Sequence, residues 1–201
     1  MDREIPLPSD PAARPNRMLA DLVGHVGQAA AASACVELLQ GADPREHETL
    51  VRYLAAGAAA TLGQAPIDEL VERGWKPYWF RVWGARGLLY AWSDDASDAV
   101  VTGLRDEHWR VAEMCAKVTR LRGIGPAGPG CVGLLGHDLP RVRSAALRAL
   151  AMVGDTDHVD PVADAMHDPD RQVRLAAATS YERLVRRLDL SGVMTGNRSG
   201  V

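Results

Sequence analysis

A repeat with a period of about 31 residues constrains the fold of this chain more than any other sequence feature. Five valines with similar surroundings recur at spacings of 31, 29, 31 and 31 residues: Val51, Val82, Val111, Val142 and Val173. The last two copies agree best, in RVRSAALRALAMVGD from Arg141 and QVRLAAATSYERLV from Gln172. Such a period is typical of stacked repeats, in which each unit buries its apolar face against the next.

Alignment on the valines indicates two helices in each copy. A small or apolar residue stands three positions after every valine, in the column Leu54, Ala85, Met114, Ala145 and Ala176. Apolar residues also stand seven positions before four of the valines, in the column Trp75, Leu104, Leu135 and Met166. This helical spacing, without any long alternating run, predicts an all-α fold built from helix–turn–helix units.

The two ends of the chain differ from the repeats. Residues 1–16 are rich in proline and polar residues and are predicted to form a disordered or loosely packed arm. Residues 190–201 are predicted to be a flexible tail for the same reason. The chain between them, residues 17–189, is expected to be a single helical repeat domain.

Composition narrows the class of protein. A net charge of −3 on 201 residues does not indicate a binder of polyanions by bulk charge. Three widely spaced cysteines in apolar helical patterns, Cys35, Cys115 and Cys131, suit buried, reduced thiols. The N-terminus has no apolar run of the signal-peptide kind, and Leu54–Leu62 is far shorter than the roughly 20 residues of a membrane span. We therefore expect a soluble, cytoplasmic protein.

The last copy, DPDRQVRLAAA preceded by DHVDPVADAM, resembles the short HEAT-like repeats of about 30 residues. The residues that carry the resemblance are Asp168, Val173 and Arg174 in the last copy, Val142 and Arg143 in the fourth, and Asp106 and Val111 in the third. The second copy, PYWFRVWGARG, keeps only its valine. The resemblance covers residues 45–187 and implies a right-handed α-α superhelix of about five helix pairs, of the HEAT/ARM-like solenoid type.

The same resemblance implies a structural role for several charged residues. In HEAT-like proteins the turn aspartate and the arginine after the valine pair between adjacent repeats. This implies a structural ladder of Asp106, Arg143, Asp168 and Arg174. Bidentate pairing of a guanidinium with a carboxylate fixes the relative register of two repeats.

Aromatic residues concentrate in the most divergent copy. Eight of the ten aromatics lie between Trp75 and Trp109, and Trp75, Trp79 and Trp83 follow helical spacing. Trp75 falls in a core column, whereas Trp79 and Trp83 do not. These two either fill space between irregular repeats or form an exposed anchor for a partner, since tryptophan and arginine dominate binding energy at interfaces.

A column of arginines stands one place before the valines: Arg81, Arg110 and Arg141. If the second helices share one face, these side chains line it at the spacing of the repeat. The alternative is that they are solvated or pair with nearby acidic residues such as Glu107, Glu113 and Asp138.

Together these features predict a non-enzymatic module for protein–protein interaction or scaffolding. Its partner-binding residues are predicted to be Trp79, Trp83, Arg81, Arg110 and Arg141, and its partner another protein or a second copy of itself. The alternative is a HEAT-like nucleic-acid-binding protein or DNA glycosylase, against which the slightly acidic charge weighs. No cofactor or metal is expected, because the histidines lack ligand spacing.

Overall fold

The computed structural model describes residues 5–10, 12–55, 67–72 and 74–190 of the chain. None of these residues lies in a β-strand, which confirms the all-α prediction. Contacts between residues group the chain into two compact units. We call residues 1–118 the N-unit and residues 119–201 the C-unit. The predicted tail lies outside the described residues except for Leu190.

The described helices of the N-unit are α1 (Pro15–Val26), α2 (Gln28–Leu39), α3 (Glu48–Ala55), α4 (Ile67–Glu72), α5 (Tyr78–Gly87), α6 (Ser97–Gly103) and α7 (Trp109–Arg122), of which α7 ends in the C-unit. Those of the C-unit are α8 (Gly128–Gly133), α9 (Pro140–Val153), α10 (Val159–Asp164) and α11 (Arg171–Arg187). From α4 onward, short first helices thus alternate with longer second helices, as the valine columns predict.

The observed helices follow a period of 31 residues without exception from α5 onward. The second helices α5, α7, α9 and α11 begin at Tyr78, Trp109, Pro140 and Arg171. The first helices α6, α8 and α10 begin at Ser97, Gly128 and Val159, each directly after a 3-10 turn of three residues. This regularity extends into the second copy, where the sequence pattern indicates the weakest repeat.

The exact period corrects the alignment of that copy. Its residue equivalent to Val111, Val142 and Val173 is Phe80, not Val82, and all four equivalent side chains are buried. Val82 is buried as well, which is why a valine stands two positions away from the true column. In the corrected register Trp79 shares a column with Arg110 and Arg141, whereas Arg81 shares one with Arg143 and Arg174.

Local sequence explains where the second helices of the C-unit begin. The carboxylate of Asp170 accepts hydrogen bonds from the backbone N–H groups of Gln172 (2.8 Å) and Val173 (3.1 Å) and so caps α11. Pro140 opens α9, where its missing N–H has no intrahelical partner to lose. Gly123, with φ of 69°, follows α7 in the left-handed conformation that favours glycine.

In the N-unit, glycine lets α5 and α2 pack with their backbones close together. A Cβ on Gly84 would lie 2.6 Å from the carbonyl oxygen of Cys35 and 2.7 Å from the backbone nitrogen of Leu39. The next turn of α5 brings Gly87 against the Cys35 thiol. Glycine at these positions therefore determines how near the two helices come.

The three cysteines are buried and form no disulfide. Burial raises the pKa of both Cys35 and Cys131 to about 12, because the thiolate would lose its hydration. Both thiols therefore stay protonated at neutral pH and are poor nucleophiles. They fill space in the core, as their apolar surroundings in the sequence predict.

Part of the predicted N-terminal arm is held by the N-unit. The hydroxyl of Tyr53 donates a hydrogen bond of 2.9 Å to the carbonyl oxygen of Pro6. Helix α1 begins at Pro15.

Among the described helices no single one is long and apolar enough to cross a membrane; α1 and α2 meet that test only as a pair bent by 117°.

We predict that Gly84→Ala destabilises the protein strongly. The added methyl group would meet backbone atoms of α2, which have no freedom to rotate away, so the helices must separate at a cost of about 1–3 kcal/mol or more. Gly24→Ala in α1 is the matched control, because nothing lies within 4 Å of its added Cβ. That change should stabilise the helix by about 0.5–1 kcal/mol. Urea denaturation measures both, and equal effects of the two substitutions would contradict the packing argument.

Candidate protein-interaction surface

Helices α5 and α7, with the residues just before them, gather an aromatic cluster in the N-unit. Its members are Trp75, Tyr78, Trp79, Trp83, His108 and Trp109. Trp75 lies with its ring centroid 4.9 Å from that of Trp83 and 6.2 Å from that of Trp79, and the latter two rings are 6.4 Å apart. Trp75 precedes α5 and does not lie on it, so the three indoles meet without sharing one helix.

Trp83 belongs to the core and not to a surface. Only 2% of it is exposed, and its ring meets that of Phe80 edge to face at 5.4 Å. The prediction that Trp83 contacts a partner is therefore wrong, and the space-filling interpretation holds for this residue. Trp75 and Trp79 are half-buried, so each retains some exposed ring surface.

His108 completes a stack that the sequence alone does not indicate. Its imidazole lies parallel to the ring of Tyr78, with centroids 3.4 Å apart, and 6.0 Å from the ring of Trp109. His108 also caps α7, because its Nδ1 accepts a hydrogen bond of 3.3 Å from the backbone N–H of Arg110. It occupies the position of the capping residue Asp170 in the last repeat, because each stands three residues before the repeat valine.

The guanidinium of Arg110 lies over two indoles. Its central carbon is 4.2 Å from the ring centroid of Trp109 and 5.2 Å from that of Trp79. Trp79 and Arg110 hold equivalent positions in successive repeats, which is why they meet. No carboxylate of the described residues lies within ion-pair distance of Arg110. Its charge is thus held by cation–π contacts without being neutralised.

Arg81 pairs with acidic residues, which is the alternative that the arginine column leaves open. Its Nε donates to Oδ2 of Asp106 at 2.8 Å and its Nη2 to Oδ1 at 3.0 Å, with a further bond to the exposed Glu107 at 3.2 Å. The bond to Asp106 raises the pKa of Arg81 above its ordinary value. Arg81, predicted to contact a partner, is thus paired within the N-unit.

The C-unit contains the corresponding pair. Arg143 donates from Nε and Nη2 to the two carboxylate oxygens of Asp168, both at 2.7 Å, and from Nη1 to the carbonyl oxygens of His137 and Asp138. Arg143 lowers the pKa of the Asp168 carboxyl because its hydrogen bonds stabilise the charged form. In both units the arginine precedes its aspartate by 25 residues.

Arg174 and Arg141 complete the predicted set. Arg174 donates to the carbonyl oxygens of Asp168 (2.8 Å) and Pro169 (2.9 Å), so within the described residues it holds a turn and not a carboxylate. Arg141 is exposed near the start of α9. The structure thus brings Trp79 and Arg110 together, pairs Arg81 with Asp106 and Arg143 with Asp168, and places Arg141 in the other unit.

One repeat keeps the turn but lacks both members of the pair. It has Ala112 in the arginine column and, 25 residues later, His137 in the aspartate column. The backbone N–H of Leu139 donates to Nδ1 of His137 at 2.9 Å, just as the N–H of Asp170 donates to Asp168 at 2.8 Å. A histidine therefore accepts the backbone hydrogen bond of this turn, because no arginine is present here that needs a carboxylate partner.

Residues 130–184 match the family described as HEAT repeats. A search of curated proteins found no match.

A solved structure, the complex of CpcE and CpcF of phycocyanin lyase from Nostoc sp. PCC7120, has the same fold as this chain. The identity is 22%, the TM-score is 0.52, and the similarity covers 92% of this chain and 70% of that one. At this identity the likeness concerns the fold. The described residues contain no group of three or more His, Cys, Asp or Glu side chains arranged to hold a metal ion.

We predict that Asp106→Asn destabilises the N-unit by about 1–3 kcal/mol, because it removes the charged acceptor of a partly buried guanidinium. Glu107→Gln is the matched control, since it removes a carboxylate that bonds the same arginine but is 85% exposed. Its effect should stay within about 0.5 kcal/mol. Chemical denaturation of both variants measures the difference, and a Glu107 effect as large as that of Asp106 would refute the assignment.

We predict that His108 makes stability depend on pH. Burial, and next the cation of Arg110, lower the pKa of His108, so the folded chain binds fewer protons there than the unfolded chain, whose histidine has a pKa of about 6.5. Stability is therefore lost as the pH falls through about 6.5 towards the folded value. His108→Asn keeps an acceptor for the cap and should abolish this loss. Unfolding at pH 7.5 and 5.5 tests it; an unchanged pH dependence in the variant would contradict the prediction.

Proposed function

We propose that the protein is a non-enzymatic module for protein–protein interaction or scaffolding, located in the cytoplasm. Its proposed contact surface, the Trp79–Arg110 patch, consists of Trp79, Trp109 and Arg110 of the N-unit. The observation that carries the proposal is the un-neutralised guanidinium of Arg110 over two half-buried indoles.

The composition of the patch suits a protein partner. Tryptophan and arginine are enriched among the residues that contribute most binding energy at protein interfaces. The guanidinium of Arg110 lies over the rings of Trp79 and Trp109, and these contacts restrict its side chain before any partner binds. Less conformational entropy is therefore lost on binding. A carboxylate of the partner would complete the charge pairing that the N-unit does not supply.

The roles of the neighbouring residues follow from their contacts. Arg81 and Asp106 hold α5 to the turn before α7 and thereby position Trp79 beside Arg110. Trp83 supports the patch from the core. Arg141, exposed on α9 of the C-unit, is proposed as a further contact.

Two observations support the non-enzymatic part of the proposal. The thiols of Cys35 and Cys131 are held in the protonated form by burial. His158 is buried and bonded through Nδ1 to Asp155 and its backbone N–H, where it caps a turn.

The neighbour of known structure is a complex of two different chains, which supports the use of this fold in protein assembly.

We predict that Arg110→Glu weakens partner binding by at least about tenfold, the loss typical of an interfacial hot spot. Arg105→Glu is the matched control, because Arg105 is exposed in the same unit, lies outside the patch and gives the same change in net charge. Cross-linking from the native organism identifies the bound protein, and titration of the purified protein measures affinity for wild type and both variants. Equal affinities for wild type and Arg110→Glu would refute the patch.

A second copy of the chain is the alternative partner, and light scattering after size exclusion distinguishes it. A wild type that forms dimers, together with an Arg110→Glu variant that is monomeric, would show self-association through the patch. Binding of a duplex oligonucleotide at moderate salt, with no protein partner, would contradict the interaction-module proposal.

A further inference from the structure

A hollow on the C-unit gathers three arginines from three different helices. Arg120 near the end of α7, Arg148 of α9 and Arg183 of α11 line a cavity of about 330 Å³. The remaining lining residues are Ala151, Gln172, Leu175, Ala176, Thr179 and Ser180. We call this the arginine hollow.

Among the residues that the structure describes, the three arginines of the hollow have no acidic partner. All three are exposed, and no carboxylate of the described residues lies within ion-pair distance of any of them. In contrast, the partly buried Arg143 of the same unit is bonded to both oxygens of Asp168. Like charges that converge on one cavity repel each other, and an anionic ligand that accepts their hydrogen bonds relieves this repulsion.

The hollow also offers apolar and neutral hydrogen-bonding surface. Leu175 lines it with 49% of its surface exposed, one of the most exposed large apolar side chains in the described residues. Ala151 and Ala176 are buried beneath, and the amide of Gln172 adds both a donor and an acceptor. A ligand that matches this lining carries carboxylates and an aliphatic side chain together.

These features favour an acidic peptide over a nucleic-acid backbone. A phosphate backbone is bound by an extended basic surface, whereas the adjoining hollow on α11 contains Glu182 beside Arg183 and Arg186. An exposed leucine contributes nothing to a phosphate contact but does contribute to binding of a peptide side chain.

We propose that the arginine hollow binds an acidic segment of the partner protein, in which aspartate or glutamate residues flank an aliphatic residue. The carboxylates bond Arg120, Arg148 and Arg183, and the aliphatic side chain covers Leu175 and Ala176. This proposal rests on the proposed function, because it names the chemistry of a partner for an interaction module.

The test titrates the full-length ¹⁵N-labelled chain with a short acetylated peptide of glutamate and leucine. The same peptide with glutamine in place of glutamate is the control ligand. Arg148→Gln combined with Arg183→Gln removes two charges from the hollow. Arg105→Gln combined with Arg171→Gln removes two charges from exposed sites outside it and is the matched control. Because all four arginines are exposed, thermal unfolding should verify that both double variants fold as the wild type does.

We expect chemical shift changes on α9 and α11 in the wild type, and binding that is weaker by at least about tenfold in Arg148→Gln/Arg183→Gln, since each lost charged hydrogen bond removes affinity. The control variant should lose less than about twofold, and the glutamine peptide should bind weakly. Absence of peptide binding to wild type, equal loss in both double variants, or tighter binding of a single-stranded oligonucleotide than of the peptide would overturn the proposal.

The two proposals fail separately. If the peptide does not bind the hollow but Arg110→Glu still lowers the affinity for the identified partner, the hollow proposal is wrong and the proposal for the Trp79–Arg110 patch is supported. If the peptide binds the hollow as expected but Arg110→Glu leaves the affinity for the partner unchanged, the patch proposal is wrong and the hollow proposal is supported.

Discussion

A bidentate bond between an arginine and an aspartate 25 residues later underlies the repeat in both units. Arg81 binds Asp106 in the N-unit and Arg143 binds Asp168 in the C-unit. Each aspartate also accepts the backbone N–H two residues further on, so the same carboxylate closes a turn and ties it to the preceding second helix. Planar geometry on both sides permits only one register, and the 31-residue spacing of the second helices is consistent with this requirement.

The register decides which side chains meet on the second helices. Because Trp79 and Arg110 occupy equivalent positions in successive repeats, the guanidinium comes to lie over the indole. Arg81, two positions after Trp79, is directed to Asp106 instead. His108 both caps α7 and stacks on Tyr78, so the start of the helix and the aromatic cluster share one residue. The proposed interaction surface is thus a product of repeat geometry.

Arginines of the described residues differ in their partners. Arg81 and Arg143, which are bonded to carboxylates, are partly buried and hold repeats together. Arg110 has no carboxylate among the described residues and lies on indoles, whereas Arg148 and Arg183 converge on a hollow. A buried charge must be neutralised internally, whereas a charge at the surface remains available to a partner.

The sequence alone determined the all-α class, the helix–turn–helix unit, the buried cysteines and the Asp168 and Arg143 columns, because periodicity and turn chemistry are local properties of the chain. It placed the second copy two residues out of register, since Val82 and Phe80 are both apolar and a pattern of apolar residues does not distinguish them. Only the tertiary structure decided that Trp83 is buried, that Arg81 pairs with Asp106, and that His108 and Arg110 stack in the aromatic cluster. These outcomes depend on contacts between residues of different helices, whose distances are set by packing and not by spacing along the chain.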